Sequence, residues 1–151
     1  MAYIPKGKTF DQFAVGDTFE TASRTITEAD VVNFAGISGD FNPLHMDEEF
    51  MKGTPFKTRI AHGMLCVSAA TGLANQLGIF EGTSIALLSM TIKYTGAVNF
   101  GDTIRLVLKV LEKKESSKPD RGTVTFDCPV LNQRGDKVVD SQWVVLMKKS
   151  G

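Results

Sequence analysis

From Gly63 to Phe80 the chain runs without one charged residue, and that stretch limits what can be built around it. A bilayer-spanning helix needs about 20 predominantly apolar residues, and Ser68, Thr71, Gly72, Asn75 and Gln76 make this run too polar for that. The segment reads instead as a helix from about His62 to Leu77, buried on nearly all sides within a single domain. Along it Ser68, Thr71 or Gly72, and Asn75 recur at three- and four-residue spacing, tracing a small and polar stripe on an otherwise apolar surface.

The chain after this helix changes character. Ile85 to Val98, Thr103 to Leu111, Thr123 to Leu131 and Lys137 to Met147 are rich in Val, Ile, Thr and aromatics and read as strands. Val124, Phe126, Cys128 and Val130 alternate with polar neighbours and share one face, while Pro129 marks a bulge or an unpaired edge. Turns centred on Gly101, Pro119 and Gly135 separate the strands, and sequential hairpins imply an antiparallel sheet. A long helix without a charged face, followed by antiparallel strands, predicts an α+β chain whose curved sheet wraps around the central helix, the hot-dog architecture. The length of 151 residues suits one domain covering 1–151, with no internal repeat.

Before the long helix, Phe19 to Thr25 reads as a strand. A helix of about three turns is expected to start at Thr27, where Asp30 completes a capping arrangement, and to end before Gly39. Val31, Val32, Phe34 and Ala35 would form its buried face. Asp40 to Met46 reads as a loop enforced by Pro43, with a short helical piece near Glu48 to Lys52.

Composition excludes several functions. Basic and acidic residues balance at 17 each, so no overall positive field exists to hold nucleic acid or an anionic membrane surface. Cys66 and Cys128 lie apart in apolar surroundings and read as reduced core residues. The N-terminus lacks the apolar run of a signal peptide, which makes the cytoplasm the expected location. There is no GxGxxG, Walker-type loop, HExxH or GxSxG, and two histidines with two scattered cysteines make no zinc set.

What remains is acid and base chemistry. Each of the two histidines stands at a break between elements, His45 after Pro43 and His62 directly before Gly63. Asp40 lies five residues before His45 across the proline loop, a spacing that can turn a carboxylate and an imidazole toward one water. The alternative is that Asp40 and Asn42 only cap turns. Gly63, in the first turn of the long helix, can present an uncovered backbone N–H to a substrate oxygen, or can serve tight packing alone. The Thr71 hydroxyl can orient the Asp40 carboxylate or bond back to its own helix.

The run Gly39-Asp40-Phe41-Asn42-Pro43-Leu44-His45-Met46-Asp47, followed by Ile60-Ala61-His62-Gly63-Met64-Leu65 and later Gly101-Asp102, resembles the signature of MaoC-like dehydratases and (R)-specific enoyl-CoA hydratases. The likeness covers roughly residues 13–147 and leaves 1–12 as an N-terminal extension. It implies a hot-dog fold paired into a dimer, and reversible syn addition of water to a trans-2-enoyl thioester giving an (R)-3-hydroxyacyl product. By position Asp40 and His45 would be the catalytic dyad, with the acid and base roles open between them. Gly63 would face the thioester carbonyl, Asn42 would order the loop or the water, and His62 would support the site or the substrate. Where several of these enzymes carry serine near the aspartate, this chain has Thr71. Coenzyme A or an acyl-carrier protein would be part of the substrate, with no metal or other cofactor.

Two rivals stand beside this reading. One is thioester hydrolysis, which other hot-dog proteins perform with an acidic residue on or near the central helix; here no carboxylate lies between His62 and Glu81. The other is a noncatalytic acyl-thioester binding subunit. Lys52, Lys57 and Arg59, between the two motifs, could meet coenzyme A phosphates or be solvated surface charge. Acyl chain length, carrier and pathway are not set by these residues.

Overall fold

Thr27 starts the first helix by both halves of a capping box. Its side chain accepts from the Asp30 N–H, and the Asp30 carboxylate accepts from the Thr27 N–H. In the computed structural model, which describes residues 2–151, this helix, α1, spans Glu28–Ser38 and ends on Gly39 with φ 77°, a left-handed turn that glycine adopts without strain. Val31 and Ala35 are buried and Phe34 half-buried. Val32, expected on the same face, is 50% exposed, because it lies about 100° around the helix from Val31.

The expected loop after α1 contains a short helix, α2 (Pro43–Met46). Pro43 does not prevent it, since proline at the first helical position loses only an N–H that has no partner there. Helix α3 (Glu48–Lys52) follows, then α4 (Gly63–Gln76).

The strands are β1 (Thr18–Glu20), β2 (Arg24–Thr25), β3 (Ser84–Tyr94), β4 (Thr103–Glu115), β5 (Arg121–Asp127), β6 (Val130–Leu131) and β7 (Lys137–Lys148). They form one antiparallel sheet in the order β1-β4-β5-β7-β3, with β2 and β6 pairing alongside. Sequential hairpins therefore account for β4, β5 and β7 but not for β3, which pairs with β7, from Ser84 opposite Met147 to Tyr94 opposite Val139. Pro129 falls at the break between β5 and β6, where it owes no ladder donor. Its neighbour Cys128 is held instead by the Ser141 backbone and hydroxyl.

One face of β4 (Ile104, Leu106, Leu108, Val110) and of β5 (Val124, Phe126) meets Leu65, Cys66, Ala69 and Ala70 of α4 in the core. Phe13 and Phe80 meet Phe126 edge-on, with ring centroids 5.5 Å apart in each pair, contacts worth about 0.5–1.5 kcal/mol beyond their buried area. Phe10 is also buried, and Gly7 and Lys8 bond to the Glu81 and Ile79 carbonyls, so residues 7–12 pack on the body of the fold.

Helix α4 is not buried on nearly all sides. Met64, Ser68, Gly72, Asn75 and Gln76 are exposed, so the small and polar stripe is its solvent face. No helix among the described residues is long and apolar enough to cross a membrane.

Candidate active site

Local bonds shape the loop that follows α1. The Asn42 side chain caps α2 by accepting from the Leu44 N–H at 3.0 Å, and Asp40 Oδ1 accepts from the Asn42 N–H at 3.2 Å. Both turn-capping roles are real, but the Asp40 cap uses only one carboxylate oxygen. The other, Oδ2, lies 3.7 Å from His45 Nε2. That is too long for a direct hydrogen bond and suits two groups that share one bridging water.

The segment Ile60 to His62 holds this loop in place. His45 Nδ1 donates to the Ile60 carbonyl at 2.7 Å, the Ile60 N–H donates to the Leu44 carbonyl at 3.1 Å, and His62 Nε2 donates to the Asp40 carbonyl at 2.9 Å. Carbonyl oxygens only accept, so the His45 proton sits on Nδ1 and its Nε2 lone pair faces Asp40 in the neutral ring. The segment is itself tied to the sheet side, through Ala61 N–H to the Val98 carbonyl at 2.8 Å and a bridge between Ile60 and Asn99.

His45 and His62 stack, with centroids 3.7 Å apart and planes at 26°, and Phe34 lies edge-on to His62 at 5.0 Å. Asp40, His45 and His62 bring ligand-type atoms within 4.8 Å of one another. Near-parallel rings point their in-plane lone pairs past each other, so a single ion would lie out of at least one ring plane. The trio is a poor metal cage.

Gly63 opens α4, and the preceding His62 side chain makes no capping bond. Its first-turn N–H groups are therefore available, with the positive end of the helix dipole behind them. Gly63 and Met64 line the same cavity as Asp40 and His45, about 790 Å³ with mostly apolar walls that include Phe34, Phe56 and Tyr94. The tight-packing role of Gly63 is also real, since a Cβ there would fall 2.4 Å from Tyr94 Cε1.

Thr71 is not brought to Asp40. Its hydroxyl donates to the Ser68 carbonyl of its own helix at 2.7 Å, and it does not line the cavity. Arg59 is committed to Glu28 at 2.8 Å and Glu48 at 3.3 Å, and Lys52 pairs with Glu49. Lys57 adopts φ 66°, a left-handed conformation uncommon outside glycine. Sequence reasoning missed the Ile60 carbonyl, Tyr94 and Phe56. A backbone acceptor leaves no side-chain signature, and the two aromatics carried no mark beyond their residue type.

Residues 11–130 match the family model described as a MaoC like domain. The chain belongs to the MaoC-like family. Among MaoC-like relatives, it is 34% identical to the 3-hydroxybutyryl-CoA dehydratase of Methylorubrum extorquens, over 93% of this chain and 84% of that one. It is 32% identical to the (R)-specific enoyl-CoA hydratase of Rhodospirillum rubrum, over 94% and 93%. Of solved structures, it resembles the monoamine oxidase regulatory protein of Archaeoglobus at 34% identity, with TM-score 0.90 over 99% of this chain and 100% of that one. The MaoC-like chain has a hot-dog-like fold of mixed helices and sheet.

Proposed function

We propose that this MaoC-like protein reversibly hydrates trans-2-enoyl thioesters to (R)-3-hydroxyacyl thioesters, with coenzyme A or an acyl-carrier protein as the handle of the substrate. The observation that carries this reading is the separation of 3.7 Å between Asp40 Oδ2 and His45 Nε2, in a mostly apolar cavity that Gly63 also lines. The (R) hand is supported by the relative named for that specificity.

Asp40 and His45 hold one water over C3 of the enoyl chain. The pair takes a proton from the water as the C3–O bond forms and gives that same proton to C2, on one face of the substrate, with the base and acid roles open between Asp40 and His45. Neither Asp40 nor His45 gains or loses a proton over the cycle, so atoms and charge balance. Negative charge developing on the thioester oxygen is met by the Gly63 N–H, a kind of donor whose loss costs roughly 3 kcal/mol of barrier in other enzymes. The proton added at C2 and the hydroxyl added at C3 both come from one water, so the route calls on no metal or redox group.

The edge strand β3 supports a homodimer. It has a strand partner on one side only, its Ile85, Leu87 and Leu88 are 37%, 49% and 53% exposed, and an apolar edge strand of this kind is normally covered. Light scattering on the purified protein tests the assembly.

Incubation with crotonyl-CoA and chiral analysis of the product test the activity. The expected product is (R)-3-hydroxybutyryl-CoA, and free coenzyme A without hydration would show thioester hydrolysis instead. Asp40→Asn and His45→Gln are each expected to lower kcat roughly 10²- to 10⁴-fold. Unchanged rates in folded variants would leave only a binding role for the loop.

A further inference from the structure

We infer that His62 is a positioning residue for the dyad, setting the distance between the Asp40 carboxylate and the His45 imidazole through two separate contacts. The inference rests on the hydration reading above.

Asp40 stands on an exposed stretch, with residues 39–43 all open to solvent. The other bonds of this stretch are local: Asp40 N–H to Ser38 Oγ, Phe41 N–H to the Gly39 carbonyl, and Asn42 N–H to Asp40 Oδ1. The bond that reaches from Asp40 into the interior is the one from His62 Nε2 to its carbonyl, at 2.9 Å. The same His62 ring lies under His45 at 3.7 Å, so one side chain touches both members of the dyad. His62 is 3% exposed, backed by Phe34, and stands at the N-cap of α4. It therefore has the rigidity that the loop lacks.

The contacts also settle its tautomer. Donation to the Asp40 carbonyl places the proton on Nε2 and leaves Nδ1 bare, and Nδ1 is buried without a hydrogen-bond partner. A buried polar atom left unpartnered carries a cost. The choice of histidine over phenylalanine is then explained by the Nε2 donor, and over glutamine by the flat ring beneath His45. Misplacing a reacting group by about 1 Å can cost on the order of 100-fold in rate, which is the scale of effect a positioning residue commands.

The two contacts can be removed one at a time. His62→Phe keeps a stacking ring and loses the donor, while His62→Gln keeps an amide donor near the Nε2 position and loses the ring. With crotonyl-CoA, kcat is expected to fall roughly 100-fold in His62→Phe and roughly 10-fold in His62→Gln, with KM within about threefold of wild type in both. Equal losses in the two variants, wild-type rates, or a loss carried mainly by KM would overturn the assignment. Nitrogen-15 NMR of the wild-type imidazoles needs no turnover, so it separates this inference from the hydration reading. His62 is expected with Nε2 protonated and Nδ1 bare, and His45 with a proton on Nδ1. In His62→Phe the Asp40 amide resonance is expected to shift and exchange faster with solvent. A His62 ring protonated on Nδ1 instead, or an Asp40 amide unmoved in the variant, would sink the inference whatever the enzyme hydrates.

Discussion

Replacing Gly63 with alanine separates a role in chemistry from a role in packing. The new methyl would sit 2.4 Å from Tyr94 Cε1 and 2.7 Å from Cδ1 and Cζ. Nonbonded carbons rest at about 3.5–4.0 Å, so the ring must retreat by at least about 1 Å. Tyr94 is 53% exposed at the end of β3, and its ring has room to move. The packing penalty should thus stay near 1 kcal/mol, partly offset by the better helix propensity of alanine, up to about 1 kcal/mol. For a domain of this size that leaves Tm within about 4 °C of wild type. Activity is expected to suffer far more, because the methyl and the displaced ring both crowd the approach to the Gly63 N–H. A loss of about 3 kcal/mol predicts kcat/KM down by roughly 10²-fold. Crotonyl-CoA hydration and a thermal melt on the same preparation read both quantities. In Gly63→Ala/Tyr94→Ala the clash is relieved, and Tm should recover while kcat/KM stays low. A folded Gly63→Ala variant with wild-type kcat/KM would refute the donor role, and so would a double variant that regains full activity.

Four further outcomes follow from the geometry. Thr71→Val should keep kcat/KM within about twofold, because its hydroxyl is spent on the Ser68 carbonyl; a tenfold fall in the hydration assay would mean that it reaches the dyad. Thr27→Ala removes the side-chain half of the α1 capping box and should cost about 1 kcal/mol in denaturant unfolding. The Asp30 carboxyl is held below its ordinary value of 3.8, first by the Thr27 backbone N–H and also by the Thr27 hydroxyl and Arg24. A group lowered on folding stabilises above its unfolded value and loses that contribution as pH falls through the folded one. Melts of wild type and Asp30→Asn should therefore converge as pH is taken from about 6 to below 3.8, and a constant gap would contradict this. Burial pushes the Cys66 thiol up to about 12 and raises that of Cys128 as well. Both should resist iodoacetamide at about pH 8 in the folded protein and react once it is denatured, read by mass spectrometry.

Some elements were legible because local chemistry decides them. The Thr27 and Asp30 box, the left-handed Gly39 and the alternation from Val124 to Val130 each depend on neighbours a few residues away, and each is found where the sequence places it. The partner of β3 was not legible, because pairing with β7 joins segments about fifty residues apart and no turn encodes it. The exposure of Ser68, Gly72 and Asn75 was misjudged for a related reason. Small and polar side chains without charge fit a buried or an open helix face equally well. At the site, the closeness of Asp40 and His45 could be read from one loop. The Ile60 carbonyl that fixes the His45 proton could not, since any residue supplies a carbonyl. Thr71 shows the converse: residue type suggested a long-range partner, and a carbonyl one turn back was simply nearer.

The loop bearing the dyad hangs from Ile60 to His62, and that segment is anchored at Val98 and Asn99. The apolar walls come from elsewhere: Phe34 from α1, Phe56 from the turn after α3, Tyr94 from the end of β3. Of these, Phe34 backs the His62 ring and Tyr94 covers Gly63, whereas Phe56, 47% exposed, belongs to neither support. The cavity thus has a tunable side and a fixed side. Reshaping it for longer or bulkier acyl groups is best begun at Phe56, where steric room can be won without disturbing the proton-transfer geometry.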